Sequence, residues 1–228
     1  MSKSAKLSLL TIFLILFVDQ AVKIWVKTKL VIGEVGLDWG WFKIHFIENR
    51  GMAFGWEFAG EYGKVFLSVF RIFAAVAIAW YIRKLIRESA PQGLVICVSL
   101  VFAGAVGNII DSAFYGILFS DSYVITAQFL PEGGGYAGFL TGNVVDMLHI
   151  DLTWPQWVPW LGGGEVFPPI FNIADSAITL GIGIIFIKQR SYFKRRQESV
   201  KTTDEPELEN SNPSIEPEKK DENEVLAD

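Results

Sequence analysis

Residues 167–187, FPPIFNIADSAITLGIGIIFI, combine the length of a membrane-spanning helix with side chains that could do acid–base chemistry. Asn172, Asp175 and Ser176 all lie in the first half of this apolar stretch. A carboxylate in hydrocarbon costs at least about 2.5 kcal/mol on insertion scales, so Asp175 needs either a partner or a function. A second acid, Asp146 in TGNVVDMLHI, could share one proton with Asp175. One carboxyl would then act as general acid and the other as general base for water.

Other hydrolytic chemistries have less support in the sequence. The chain has two histidines and no H-E-x-x-H motif, so we expect neither a catalytic metal nor a cofactor. Cys97 is the only cysteine, which excludes an internal disulfide, and it lies in an apolar run far from either histidine. Ser176 has no evident base at a recognisable spacing. A pair of carboxylates is therefore the remaining candidate.

The residue types alone leave two classes of protein open. Asp175 could be the structural partner of Lys23 or Arg71, and Asp146 by itself could be a loop residue. Transporters and proton channels also carry acids within their membrane spans. A protease and a small proton- or ion-coupled transporter therefore both remain possible at this point.

The pattern of hydrophobicity predicts a mainly α-helical membrane protein with four transmembrane helices. The chain has 228 residues, of which 51% are hydrophobic and 20% charged. Four apolar stretches are long enough to cross about 30 Å of hydrocarbon. They define a membrane domain over residues 1–196, followed by an acidic tail, residues 197–228, that we expect to be disordered and cytoplasmic. The predicted spans are residues 7–26, 65–82, 93–110 and 169–187.

Lysine and arginine predict the orientation, because they accumulate in short cytoplasmic segments. They cluster before the first span, between the second and third, and after the fourth, which places both termini in the cytoplasm. Residues 28–64 and 115–167 are then the two outer segments. The alternation in WGWFKIHFIE predicts a small β-sheet on the outer membrane surface, beside an extracytoplasmic loop. Three tryptophans of the second outer segment suit the membrane interface, namely Trp154, Trp157 and Trp160.

With this orientation, all four spans carry their polar residues at one depth, in the outer half of the membrane. Such groups must face one another, because the alternative exposes them to lipid. The i,i+4 spacing of Asp19 and Lys23 places both on one face of their helix. The i,i+3 spacings of Asn108 with Asp111, and of Asn172 with Asp175, have the same effect. The sequence therefore predicts a polar site just below the outer surface, built from Asp19, Gln20, Lys23, Arg71, Asn108, Asp111, Asn172, Asp175 and Ser176.

Five motifs in order along the chain resemble those of the lipoprotein signal peptidases, also called signal peptidase II. The resemblance covers about residues 7–190. Because the motifs are distributed over the first, third and fourth predicted spans and both outer segments, the similarity is specific. They are DQAVK (19–23), NRGMAFG (49–55), GAVGNIID (104–111), NVVDM (143–147) and FNIADSAI (171–178).

The resemblance implies an aspartic endopeptidase that removes the signal peptide of a prolipoprotein by cutting before its diacylglyceryl-cysteine. It also implies a multi-pass protein of the bacterial cytoplasmic (inner) membrane, acting as a monomer on lipid-anchored substrates, with the active site facing outward. Globomycin-type peptide antibiotics are expected ligands and nucleic acids are not. The implied roles are catalytic for Asp146 and Asp175, dyad-supporting or substrate-binding for Asn49, Asn108, Asn172 and Asp111, and structural for Asp19, Lys23 and Arg71.

The sequence departs from the family pattern in three places. Ser112 stands where the family has an arginine, and Arg71 is a possible substitute for the missing guanidinium. Met147 follows the first predicted catalytic aspartate, where the family has phenylalanine. Residues 119–141 form a longer segment than the family commonly has, and could be a lid or a partner surface.

Overall fold

A computed structural model describes the backbone of residues 1–50 and 60–204 and the side chains of residues 1–50 and 63–192. Four long helices and a small antiparallel sheet form the described part. The third helix continues through a π-helical turn, Asp111–Tyr115, into a last short turn. In chain order the elements are α1 Lys3–Lys29, β1 Val35–Asp38, β2 Phe42–Asn49, α2 Gly60–Arg87, α3 Gln92–Ile110, α4 Gly116–Leu118, β3 Val144–Ile150 and α5 Ile173–Asp204.

Three helices in the described part of the chain are long and apolar enough to cross a membrane: Lys3–Lys29, Gly63–Arg87 and Gln92–Leu118. They confirm the first three predicted spans and extend each of them. The fourth predicted span falls on α5, which carries charges at both ends of its apolar part, Asp175 near the start and Lys188 after it. The protein is therefore a multi-pass membrane protein in which α1, α2 and α3 meet the length and hydropathy of a span.

The start of α5 differs from the prediction. The span was expected from residue 169, with Asn172 and Asp175 on one helix face, but the helix begins at Ile173. Asn172 precedes it as the capping residue: its Oδ1 accepts the Asp175 backbone N–H at 2.9 Å, and Asp175 Oδ2 accepts the Asn172 N–H at 3.3 Å. Pro168 and Pro169 offer no N–H to an earlier helical turn. This reciprocal capping satisfies backbone donors at the helix start.

The predicted sheet is present, with three antiparallel strands in the order β1-β2-β3. The alternation in β2 turns Ile44 and Phe46 inward, which explains why this stretch forms a strand. The third strand comes from the second outer segment, so Asp146 lies in β3, opposite Ile47 of β2, and not in a loop. A strand fixes the direction of the Asp146 side chain more firmly than a loop would.

The sheet packs on the ends of α1 and α3, close to where α5 begins. An apolar cluster fills this junction and includes Val26 of α1, Phe46 of β2, Tyr115 of the π turn and Met147 of β3. Helix α3 lies in the centre of the bundle and packs against α1, α2 and α5. The fold therefore brings one end of α1, α3 and α5 close to the sheet.

Two predicted segments extend beyond what the structure describes. Helix α5 continues to Asp204, past residue 196 where the acidic tail was predicted to begin, and residues 205–228 lie outside the described residues. The glycine-rich part of the second motif, residues 51–59, also lies outside them. Trp157 and Trp160 are strongly exposed, at 81% and 102%.

We predict that Gly104→Ala destabilises the protein, because a Cβ at this position would overlap the backbone oxygen of Ala174 on α5. The two helices would have to separate, and overpacking of this kind costs about 1–3 kcal/mol. The melting temperature in detergent should fall. Gly183→Ala is the matched control, because a Cβ there meets nothing within 4 Å. Equal melting temperatures for the two variants would contradict the close approach of α3 and α5.

Candidate active site

Two asparagines connect the predicted catalytic aspartates. Asn172 Nδ2 donates to Asp146 Oδ1 at 2.6 Å and to Asn108 Oδ1 at 3.1 Å. Asn108 Nδ2 in turn donates to Asp175 Oδ1 at 2.8 Å. Amide side chains offer both a donor and an acceptor, so they can link two acids without adding charge. The structure thus brings Asp146, Asp175, Asn108 and Asn172 into one hydrogen-bonded group.

Asp146 is almost fully buried on β3, at 3% exposure. Burial raises its pKa to about 7, and the nearby charge of Asp175 acts in the same direction. The amides of Asn49 and Asn172 oppose the rise by donating to its two oxygens, Asn49 to Oδ2 at 3.1 Å. A carboxyl that keeps its proton close to neutral pH, beside a second carboxyl, can serve as a general acid.

A buried ammonium group lies beneath these residues. Lys23 Nζ is 3.0 Å from Asp19 Oδ2 and 2.7 Å from Asp111 Oδ2, and it donates to Asn108 Oδ1 at 2.9 Å. The Lys23, Asp19 and Asp111 side chains are all completely buried. Such a cluster is stable only when its geometry is good and its remaining polar atoms are hydrogen-bonded. Gln20 contributes here, because its Nε2 donates to Asp111 Oδ1 at 3.0 Å.

Each carboxylate of this cluster also accepts a backbone N–H next to a predicted catalytic aspartate. Asp19 Oδ1 accepts from Ala174, the residue before Asp175, at 2.9 Å. Asp111 Oδ2 accepts from Val145, the residue before Asp146, at 3.2 Å. Hydrogen bonds to an ionised carboxylate are among the stronger ones in proteins. The Lys23 cluster therefore fixes the backbone on both sides of the site.

The Arg71 side chain of α2 also lies next to the site. Its Nη1 lies 3.5 Å from Ser112 Oγ, and Ser112 itself donates to the Asn108 backbone oxygen. The Asp175, Asp111 and Asp146 carboxylates lie close enough to attract the guanidinium. The Arg71 guanidinium therefore reaches Ser112 from a different helix.

The sequence analysis missed a second buried polar group, which lies beside the first. Lys27 of α1 forms an ion pair with Glu48 of β2, and its Nζ donates to Ser122 at 3.0 Å. Asn143 Nδ2 donates to Glu48 Oε2 at 2.8 Å, and Lys64 Nζ donates to Asn143 Oδ1 at 2.8 Å. Lys27 follows Lys23 by four residues on the same helix face. This spacing is the sequence signal that could have indicated the second polar group.

Other potentially reactive groups lie outside the site. Cys97 is buried in α3 at the opposite end of the bundle. His45 and His149 contact each other on the sheet, with ring centroids 5.7 Å apart. Within the described residues, no three histidine, cysteine or acidic side chains lie close enough together to hold a metal ion.

The spans and the buried acids define a multi-pass membrane protein with a buried polar site. Comparison with protein families identifies it further, because the family model described as signal peptidase (SPase) II matches residues 11–190. The chain belongs to the signal peptidase II family and is a protease. The prediction from the five motifs is thus confirmed, and the comparisons give no support to a transporter.

Curated relatives agree with this assignment over most of the chain. A lipoprotein signal peptidase of Porphyromonas gingivalis is 43% identical over 209 residues, which cover 89% of this chain and 91% of the relative. A second, from Amoebophilus asiaticus, is 37% identical over 212 residues, covering 88% and 86% of the two chains.

Among solved structures, a bacterial membrane enzyme determined by the in meso method has a TM-score of 0.53 and 27% identity, covering 80% of this chain and 91% of its own. A second bacterial membrane enzyme has a TM-score of 0.51 at 23% identity, covering 89% and 94% of the two chains, which supports the fold alone.

We predict that Lys23→Met strongly destabilises the protein, because it leaves two buried carboxylates without their counter-charge. Breaking a buried ion pair from one side costs about 3–5 kcal/mol. Folded yield and melting temperature should both fall. Lys29→Met on the exposed face of the same helix is the control and should behave like wild type. A fully stable Lys23→Met protein would show that the cluster does not hold the helices together.

Proposed function

We propose that this protease is an aspartic endopeptidase with Asp146 and Asp175 as its catalytic dyad. The observation that carries the proposal is the hydrogen-bonded group in which Asn172 and Asn108 connect the two carboxyls. The raised pKa of Asp146 supports the division of roles, because one member of the pair must keep a proton near neutral pH. Asp146 is then the acid and Asp175 the base.

The reaction proceeds by attack of water on the scissile carbonyl carbon. Asp175 accepts a proton from the water as its oxygen forms the new bond to carbon, and Asp146 protonates the carbonyl oxygen. Collapse of the tetrahedral intermediate breaks the C–N bond, and the leaving nitrogen takes up the proton acquired by Asp175 while the carbonyl reforms and returns a proton to Asp146. Protons and electrons balance, and the dyad ends in its starting state.

The surrounding residues position the dyad and bind the substrate backbone in this proposal. Asn49, Asn108 and Asn172 hold the two carboxyls through their amides. Asp111 acts through the backbone of Val145. Arg71 lies close enough to Ser112 to supply the positive charge that would contact a substrate carbonyl, in place of the family arginine. No cofactor is required for this chemistry.

The substrate is a prolipoprotein that carries a diacylglyceryl-modified cysteine, and the bond cut lies immediately before that cysteine. The distribution of lysine and arginine supports cytoplasmic termini, with α5 as a fourth span in the bacterial inner membrane and the site facing outward. Two acyl chains in the outer leaflet would hold the scissile bond at the depth of the dyad. The sheet would lie over the membrane surface and cover the bound segment.

Further proposals rest on the family resemblance. Peptide antibiotics of the globomycin type would compete for the same site. The protein would work as a monomer surrounded by membrane lipid, because the predicted dyad and its supporting residues all come from one chain. The acidic tail, residues 197–228, would have no role in catalysis.

Asp146→Asn and Asp175→Asn should each abolish processing while leaving the protein inserted and folded. Removing the acid or the base from a proton-sharing pair costs about 100- to 10,000-fold or more in rate. Conversion of a lipid-modified precursor by purified enzyme is the measurement. Asp38→Asn, an exposed substitution at the edge of the sheet, is the matched control and should retain activity. Near-wild-type turnover by either dyad variant would refute the assignment.

Activity should decrease as the pH rises through about 7, because Asp146 then loses the proton that it donates. Asn49 favours the charged form of Asp146 by donating to Oδ2. Asn49→Ala should therefore raise the pKa of Asp146 further. The alkaline limb of the pH profile, where activity falls, should then move to higher pH. The measurement is kcat/KM between about pH 5 and 9 for both proteins. An alkaline limb that stays in place or moves to lower pH would argue against Asp146 as the acid.

A diacylglyceryl-modified precursor should be cleaved before its cysteine, and the same precursor without lipid essentially not at all. Each buried CH₂ contributes about 0.8 kcal/mol, so the acyl chains dominate affinity and positioning. Purified protein in detergent is incubated with both precursors and the products are analysed by mass spectrometry. Equal cleavage of the two would refute the argument that lipid sets the depth of the bond.

A further inference from the structure

Glu48 of β2 is a buried carboxylate that faces away from the predicted dyad. Lys27 of α1 forms an ion pair with its Oε1, and Asn143 Nδ2 donates to its Oε2 at 2.8 Å. Successive side chains of a strand point to opposite faces of the sheet. Asn49, the next residue of β2, therefore points to the other face, where its amide donates to Asp146 Oδ2 at 3.1 Å.

The end of the β2–β3 pair thus carries one cross-strand link on each face. Asn49 pairs with Val144, the first residue of β3, so Asp146 is its diagonal neighbour on one face. Asn143 is the diagonal neighbour of Glu48 on the other face. Diagonal neighbours in an antiparallel pair are about 7–8 Å apart, within reach of long side chains. The two links therefore connect the same short stretches of β2 and β3.

The link between Glu48 and Asn143 is itself held by buried groups. Lys27 has no exposed side-chain surface, and its Nζ donates to Ser122 at 3.0 Å and lies 4.8 Å from the centre of the Tyr136 ring. The Tyr136 hydroxyl accepts the Asn143 backbone N–H at 2.7 Å. Both α1 and the long segment of residues 119–141 therefore fix this link in place.

We propose that Glu48 and Asn143 are positioning residues for the proposed dyad. Their contact fixes the last paired residues of β2 and β3, so that the Asn49 amide reaches Asp146 on the opposite face. Lys27 holds the contact from α1. The inference rests on the proposed function, because it concerns the carboxyl that acts there as the acid. Glu48 and Asn143 act through the strands and do not touch the reacting groups.

The consequence for Asp146 has a definite sign. The Asn49 amide stabilises the charged form of Asp146 and so opposes the rise of its pKa. Loss of the contact between Glu48 and Asn143 should weaken this hydrogen bond and raise the pKa of Asp146 further. The other charged groups around Asp146 stay unchanged, namely Lys23 of α1, Arg71 of α2, Asp111 of the π turn and Asp175 of α5.

The test measures kcat/KM between about pH 5 and 9 on a diacylglyceryl-modified precursor. Asn143→Ala removes the donor to Glu48 and keeps the backbone N–H that Tyr136 accepts. Its alkaline limb should move to higher pH by about half to one unit, the effect of one hydrogen bond to a carboxylate. Asn49→Ala should act in the same direction. The combined variant Asn49→Ala/Asn143→Ala should show no further shift, because both changes remove the same hydrogen bond to Asp146.

Two further variants separate positioning from a general loss of stability. The apolar double variant, Lys27→Met/Glu48→Leu, replaces the ion pair by side chains of similar size, which is tolerated better than the loss of one partner. It should also move the alkaline limb to higher pH. Ser68→Ala removes a hydrogen bond to the Leu140 backbone oxygen, outside β2 and β3. This control should lower the melting temperature and leave the limb at its wild-type pH.

An alkaline limb at the wild-type pH in both Asn143→Ala and the apolar double variant would overturn the inference. Shifts from Asn49→Ala and Asn143→Ala that add in the combined variant would also overturn it, as would an equal shift in Ser68→Ala. If Asn49→Ala alone moves the limb, the dyad assignment stands and only the positioning role fails. Near-wild-type turnover by Asp146→Asn would instead remove the dyad, and the positioning role with it.

Discussion

The Lys23 ammonium group is the point on which the rest of the site depends. It lies with no exposed surface between Asp19 of α1 and Asp111 at the end of α3. Desolvating three charges costs several kcal/mol per ion, and only close pairing with further hydrogen bonds can offset it. Gln20 and Asn108 supply two of those hydrogen bonds. The cluster thus fixes the position of α1 relative to α3.

The two carboxylates of the cluster also hold the backbone next to the proposed dyad. Each uses its remaining acceptor capacity on the backbone N–H that precedes Asp146 or Asp175. The N-terminus of α5 is capped in this way from α1, while Asn172 caps it from within its own segment. The tight packing of Gly104 and Gly107 against α5 and Asp19 keeps these distances short. The sheet and the bundle therefore meet at a rigid junction where the two acids lie.

The sequence predicts those features of the site that depend on local pattern. Hydropathy indicates three of the spans, and the shared depth of Asp19, Lys23 and Asp111 indicates that they converge. The sequence could not show that Asp146 lies on a strand, because the pairing of β2 with β3 joins residues about 100 positions apart. The start of α5 was misplaced because the apolar residues begin before Asn172, whereas the cap at Asn172 makes Ile173 the first helical residue.

The Lys27 group was also missed, because Glu48 and Asn143 come from segments whose proximity only the sheet creates. Arg71 is an intermediate case. Its depth in α2 was apparent from the sequence, but its approach to Ser112 of α3 depends on how the two helices pack. Contacts between distant segments, rather than the residue types, account for what could not be predicted.

The most direct test of the central claim is amide hydrogen exchange at Ala174 and Val145, followed by NMR in detergent micelles. Both amides should exchange slowly in the wild-type protein, since each donates to a buried carboxylate. Asp19→Ala should accelerate exchange at Ala174 far more than at Val145, and Asp111→Ala should have the reverse effect. Fast exchange at both amides in the wild type, or equal acceleration at both in either variant, would contradict the account.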